Sequence, residues 1–133
     1  MRRGWQLKET LTWNLLNAMP YGESCKFFIV LFNEEDPDTV DLLQWLKKFA
    51  PLMKKGLLHV AVAEMEYWDC PVAKNTAHRF GIDVCRRLGY QNIFVVNLDG
   101  DNGFSPSFVP SVMMYAKKMI GTLFIVGKVT TAA

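Results

Sequence analysis

Three cysteines, Cys25, Cys70 and Cys85, are the residues of this 133-residue sequence with the greatest capacity for covalent chemistry. A thiolate is the nucleophile of disulfide exchange, and the start of a helix can lower a thiol pKa. Cys70 follows Asp69, a favoured helix N-cap residue, so Cys70 is the candidate reactive thiol. An odd number of cysteines at irregular spacing, with no C-x-x-C motif, argues against a disulfide framework and against a zinc site.

The other residues that could do chemistry form no recognisable site. His59 and His78 have no partner at the spacing of metal ligands. The segment "DGDN" at 99–102 resembles the start of a calcium loop, but the loop's acidic twelfth position is absent, so a turn explains it. The sequence therefore predicts neither a metal nor a cofactor.

Composition favours a single domain, 1–133, with an ordinary charge balance. Half of the residues are hydrophobic, and 15 Lys and Arg against 13 Asp and Glu give a net charge of +2. This charge is too small to indicate direct nucleic-acid binding, and no apolar run has the length of a transmembrane segment. An intracellular location is favoured, with mitochondrion, nucleus and endoplasmic reticulum left open.

Hydrophobic patterning predicts alternating helices and strands. An amphipathic helix over 1–19 is followed by a buried strand over 26–32. A second helix begins near Asp38, with Asp41 as its capping-box partner, and contains Pro51 within its apolar stripe, where a proline should kink it. Further along, the pattern predicts a strand at 57–63, a helix at 69–81 and strand candidates at 92–98, 110–116 and 122–129. Two strands joined by a helix imply a parallel unit, so the fold class is α/β.

The segment "LQWLKKFAPLM" resembles the active-site helix of thioredoxins and protein disulfide isomerases, whose pattern is C-x-x-C-K-x-x-A-P. Leu43 and Leu46 occupy the two cysteine positions, and Pro51 matches the proline that kinks that helix. The segment "VPSVMMYAKKMIG" is similar to the family's cis-proline segment, with Pro110 as the proline. This resemblance covers 26–82 and 109–128. It implies a thioredoxin-like central mixed sheet with flanking helices.

The departures from that family have consequences for activity and for shape. Without the two thiols, the resemblance implies a domain with no dithiol oxidoreductase activity. The family's first strand and last helix are both missing, so the fold is reduced at both termini and 57–63 becomes an edge strand. We expect 83–108 to be an insertion, although 93–98, rather than 111–116, remains an alternative for the family's fourth strand.

Missing thiols and missing edge elements favour a redox-inactive structural or protein-interaction subunit of a larger protein assembly. Aromatic residues are the expected contacts with other protein subunits. The interface candidates are Trp45, Phe49, Tyr90, Phe104, Phe108 and Phe124. Two alternatives stay open: a single-thiol redox enzyme of peroxidase or glutathione type using Cys70 or Cys85, and a spliceosomal thioredoxin-like protein, suggested by "GWQ" at 4–6 and "DP" at 36–37.

Overall fold

A computed structural model describes residues 4–119 and 123–129, with side chains through residue 115. Helices and strands alternate along this part of the chain, as the sequence predicts. The helices are α1 (Gly4–Ala18), α2 (Pro37–Leu46), α3 (Ala50–Lys54), α4 (Cys70–Arg87) and α5 (Phe108–Met119), and the strands are β1 (Cys25–Phe32), β2 (Leu58–Ala63), β3 (Ile93–Asp99) and β4 (Leu123–Val129). No helix of the described residues is both long and apolar enough to cross a membrane.

The four strands form one sheet in the order β2-β1-β4-β3, and the described pairings are all parallel. The α/β class predicted from the sequence is therefore confirmed. The mixed sheet expected from the family resemblance is not what these strands form. The reason lies in the connections: a helix separates each strand from the next, and such crossovers join parallel strands, whereas antiparallel neighbours are usually joined by hairpins.

The segment read as a strand at 110–116 lies in helix α5, so that reading is wrong. Val109 is fully buried, and Val112 and Met113 pack against the same core cluster, which is the three- and four-residue spacing of a helix. Pro110 falls in the first turn of α5, where its missing N–H costs no helical hydrogen bond, and no described peptide bond is cis. The strand at this point of the chain is β3, at 93–99.

Pro51 interrupts the second helix, as predicted. A 3₁₀ turn, Lys47–Phe49, separates α2 from α3, and Pro51 lies in the first turn of α3. The predicted cap was wrong by two residues. Asp36 is the N-cap, because its carboxylate accepts a hydrogen bond of 2.8 Å from the Asp38 amide, whereas the Asp38 side chain is buried.

Helix α4 begins as predicted and ends later. Asp69 caps it by accepting a 3.2 Å hydrogen bond from the Val72 amide. Gly81, the predicted end, lies buried inside the helix, and the chain leaves α4 through Gly89, which has the positive φ of +93° that glycine tolerates. The expected insertion at 83–108 is thus built into the fold, since it completes α4 and forms β3.

Every residue of β1 is buried because helices cover both faces of the sheet. Phe27, Ile29 and Leu31 pack on one face against a core that includes residues of α1 and α2. Phe28 and Val30 pack on the other face against clusters that include residues of α4. Each large side chain buried in this way stabilises the fold by about 2 kcal/mol relative to an exposed one.

Candidate protein-interaction surface

Two loops leave the sheet at the carboxyl ends of neighbouring strands. The β1–α2 connection leads to one face of the sheet, where Leu42 of α2 joins the cluster of Phe27. The β2–α4 connection leads to the other face, where Ala73 of α4 joins the cluster of Val30. The two connections therefore lie together at the carboxyl edge of the sheet, the edge at which ligands usually bind in open α/β sheets.

Asn33 holds these two loops together. Its φ of +67° places it in the left-handed region, which asparagine tolerates better than most residues. Its amide donates to the Ala63 carbonyl at 2.8 Å, and its side-chain oxygen accepts from the Met65 amide at 2.8 Å. The Glu34 amide donates to the Glu64 carboxylate at 3.2 Å. The loops therefore present a surface whose backbone is fixed before any partner arrives.

Exposed apolar side chains stand on this framework. Tyr67 is 80% exposed and Trp68 is 39% exposed, and the first turn of α4 adds the exposed Val72. The Trp68 ring packs edge to face against the buried Phe32, with ring centroids 5.9 Å apart. We call Tyr67, Trp68 and Val72 the aromatic surface. Aromatic side chains held in place lose little conformational entropy on binding, which makes them effective contact residues.

Carboxylates are frequent in the two loops that form this edge. Five of them are exposed: Glu34, Glu35, Glu64, Glu66 and Asp69. The ion pairs of the described residues, Lys8–Asp41 and Lys74–Asp99, include none of them. Their negative potential is therefore available to an external cation, and exposed aromatic rings next to it add cation–π attraction.

The three thiols have different surroundings, and none is in a disulfide. Burial raises the pKa of Cys25 to about 12. Burial also raises the pKa of Cys85, and the nearby Lys26 opposes that rise. Cys70 alone is exposed, in the first turn of α4 beside the aromatic surface. The described residues contain no group of three or more His, Cys, Asp or Glu that could hold a metal ion.

The positions assigned to the family's cysteines lie in the core. Leu46 is buried and Leu43 packs against the same cluster, both in the second half of α2. The helix itself begins at Pro37, capped by Asp36. Even cysteines at these two positions would lack the exposed helix start that activates a thiol.

The predicted interface residues fall into three groups. Phe104 is buried and stacks on Phe108 at 5.1 Å, so little of its side chain is accessible to a partner. Trp45 and Phe49 contact each other edge to face at 5.1 Å and are partly buried against the core. The remaining candidates are Phe108 and Tyr90, which are partly buried, and Phe124, whose side chain lies outside the described ones.

Comparison with protein-family models, with curated proteins and with solved structures found no match. The description of this surface therefore depends only on the structure of this chain. The interface candidates named from the sequence do not include the exposed Tyr67 and Trp68. The available signal was an adjacent aromatic pair inside an acidic loop, "EMEYWDCP", where neither strand nor helix patterning demands a buried side chain.

Proposed function

We propose that this chain is a redox-inactive protein-binding module that takes up a cationic segment of a partner protein at the aromatic surface. The observation that carries the proposal is the exposure of Tyr67 and Trp68 on a fixed loop among five carboxylates. Lysine and arginine side chains satisfy both features, since their stems pack on aromatic rings and their charges meet carboxylates.

The thiols support binding rather than dithiol chemistry. Cys25 and Cys85 are buried, and burial raises the pKa of each, so the thiolate that exchange requires is disfavoured. Cys70 is left without an exposed resolving cysteine among the described residues. A module that binds a partner and supports a larger assembly needs none of these thiols.

A thioredoxin-like relationship is part of this proposal through the first parallel unit of the sheet. Strand β1, the helix broken before Pro51 and strand β2 follow the order of elements expected for that family, although Leu43 and Leu46 lie in the second half of α2 rather than at its start. The parallel pairing of β3 with β4 departs from the family's mixed sheet. The resemblance therefore supports a domain that keeps the family's βαβ unit and has lost its thiol site.

The proposal is tested by fluorescence titration of the protein with two synthetic peptides of equal length, one rich in Lys and Arg and one rich in Glu. We expect only the cationic peptide to bind. Replacing Tyr67 and Trp68 together by Ala should weaken binding at least about tenfold. The matched control is Tyr115→Ala, which removes an aromatic ring that is 70% exposed on α5. Equal binding of both peptides, or an equal loss in the control, would contradict the proposal.

A single-thiol enzyme using Cys70 is the second candidate. Its support is the exposure of Cys70 in the first turn of an 18-residue helix, where a substrate can reach the thiol. Peroxide reduction or glutathione transfer that disappears in Cys70→Ser would favour this candidate over the binding module.

A further inference from the structure

Strand β2 lies at one edge of the sheet and pairs, within the described residues, only with β1. The carbonyls of Leu57 and Ala63 point toward β1, since they accept hydrogen bonds from Phe27 and Asn33. Backbone groups alternate along a strand, so those of Leu58, Val60 and Val62 point outward. An edge with free donors and acceptors is a template for another strand.

This edge carries none of the features that usually keep an edge strand unpaired. The strand reads "LHVAVA", with no proline and no Lys, Arg, Asp or Glu. Val62 is 38% exposed, and the small Ala61 beside it leaves room for an approaching backbone. Natural edges are normally protected by inward-pointing charges, prolines or bulges. The sequence of β2 is therefore suited to pairing with a further strand along its outer edge.

Charges at the two ends of β2 indicate which partner. Lys54 and Lys55 are exposed just before the strand, and Glu64 and Glu66 are exposed just after it. The same strand turned through 180° has the opposite order of charges. An antiparallel pair of identical strands therefore brings the lysines of each copy to the glutamates of the other, whereas a parallel pair would set like charges together.

We propose that a second copy of this chain pairs with β2 in an antiparallel arrangement, around a two-fold axis at Val60. A two-fold interface requires a self-complementary surface, and β2 has one in its charges and in its outward backbone groups. The two four-stranded sheets become one continuous sheet across the axis. This inference goes beyond the proposed function and uses a different set of residues, apart from Glu64 and Glu66.

The test is sedimentation velocity of the full chain over a concentration series. We expect a reversible dimer, weakened at least about tenfold in Lys54→Glu/Lys55→Glu by like-charge contacts with the glutamates of the other copy. Because the lysine end of one copy meets the glutamate end of the other, adding Glu64→Lys/Glu66→Lys to Lys54→Glu/Lys55→Glu should restore much of the association lost in the lysine variant. Arg86→Glu/Arg87→Glu is the matched control, because it makes the same charge change at the exposed end of α4.

Hydrogen exchange gives a second readout that does not depend on a variant. The amides of Leu58, Val60 and Val62 should gain protection as concentration rises, while those of the other edge strand, β3, should not. A wild-type chain that stays monomeric, or a loss in the arginine control equal to that in the lysine variant, would overturn the inference. Cationic-peptide binding by a monomeric chain would at the same time leave the proposed function standing.

Discussion

At the scale of single residues, Asn14 shows how a polar side chain can be required in a core. It is fully buried in α1, and its amide binds the connection between β3 and α5. Its Nδ2 donates to the Asn102 carbonyl at 3.0 Å, and its Oδ1 accepts from the Phe104 amide at 2.9 Å. The predicted N-terminal helix is therefore joined to a loop far along the chain.

Asn14→Leu should lower the free energy of unfolding by about 2–4 kcal/mol, because the buried Phe104 amide and the Asn102 carbonyl both lose their partner without a polar replacement. Urea denaturation followed by circular dichroism measures the loss. Asn17→Ala is the control, since its amide makes only a 3.4 Å hydrogen bond to the Phe104 carbonyl and is partly exposed. Equal losses in the two variants would show that the Asn14 hydrogen bonds contribute nothing particular.

The thiols should differ sharply in reactivity. We expect an aromatic disulfide reagent to label Cys70 in the native protein, and to label Cys25 and Cys85 only after denaturation, because both are buried and burial raises the pKa of each. Spectrophotometric titration with and without guanidinium counts the thiols in each state. We also expect no reduction of insulin disulfides above the background of dithiothreitol. Rapid labelling of Cys85 in the native state would contradict the core described for α4.

His59 should make stability depend on pH. Burial lowers the pKa of His59, the hydrogen bond of its Nε2 to the Gly56 carbonyl partly opposes this, and the nearby Lys26 adds to the lowering. The unfolded chain therefore binds the proton first as the pH falls. The stabilising contribution is complete above the usual histidine pKa of about 6.5 and is lost as the pH decreases through the lower pKa of the folded state.

His59→Gln removes this titration and keeps a donor for the Gly56 carbonyl. The free energy of unfolding should fall less steeply below about pH 6.5 in the variant than in the wild type. Urea denaturation at a series of pH values gives both slopes. His78 is retained in both proteins, so the difference between the slopes reports His59 alone. Identical slopes would mean that folding does not change the pKa of His59.

At the scale of elements, Pro51 shows why a proline inside an apolar stripe can cost little. The 3₁₀ turn at Lys47–Phe49 ends α2 before the proline. Pro51 therefore lies in the first turn of α3, where a backbone N–H would have no hydrogen-bond partner within the helix, so its absence costs little. The kink is therefore a property of the local backbone. Leu43 and Leu46 precede the kink in the sequence, and their side chains pack in the core.

Pro51→Ala should change the free energy of unfolding by no more than about 1 kcal/mol, as a small loss caused by the greater freedom of the unfolded chain. Leu46→Ala, which opens a cavity beside the same kink, should cost about 2–5 kcal/mol. Thermal denaturation compares the two variants. A Pro51→Ala variant much more stable than the wild type would show that the proline strains the helix.

Sequence patterns predicted some of these elements better than others for a physical reason. Strand β1 contains an uninterrupted apolar run, 27–32, bounded by Lys26 and Asn33, and Asp69 is an N-cap whose role is local. Helix α5 was misread because "PSVMMYA" is apolar at both helical and strand spacing, so packing against the core, rather than local preference, decides its form.

At the scale of the whole molecule, the candidate surface depends on contacts that no local pattern contains. Asn33 connects two loops separated by thirty-two positions in the chain, through its hydrogen bond to the Met65 amide. That contact requires β1 and β2 to be neighbours already. Sequence patterns could thus predict the βαβ unit, but the exposure of Tyr67 and Trp68 at the carboxyl edge follows only from the assembled sheet.

The strand order has a consequence for how the chain is made. Strand β4 is the last described strand to leave the ribosome, yet it lies between β1 and β3, and β3 pairs with no other strand among the described residues. Until β4 arrives, the newly synthesised chain exposes one side of β1 and has no place for β3. We therefore expect a nascent chain stalled after Met119 to remain sensitive to protease and bound by chaperones, whereas release of the full chain lets the sheet close in a single late step.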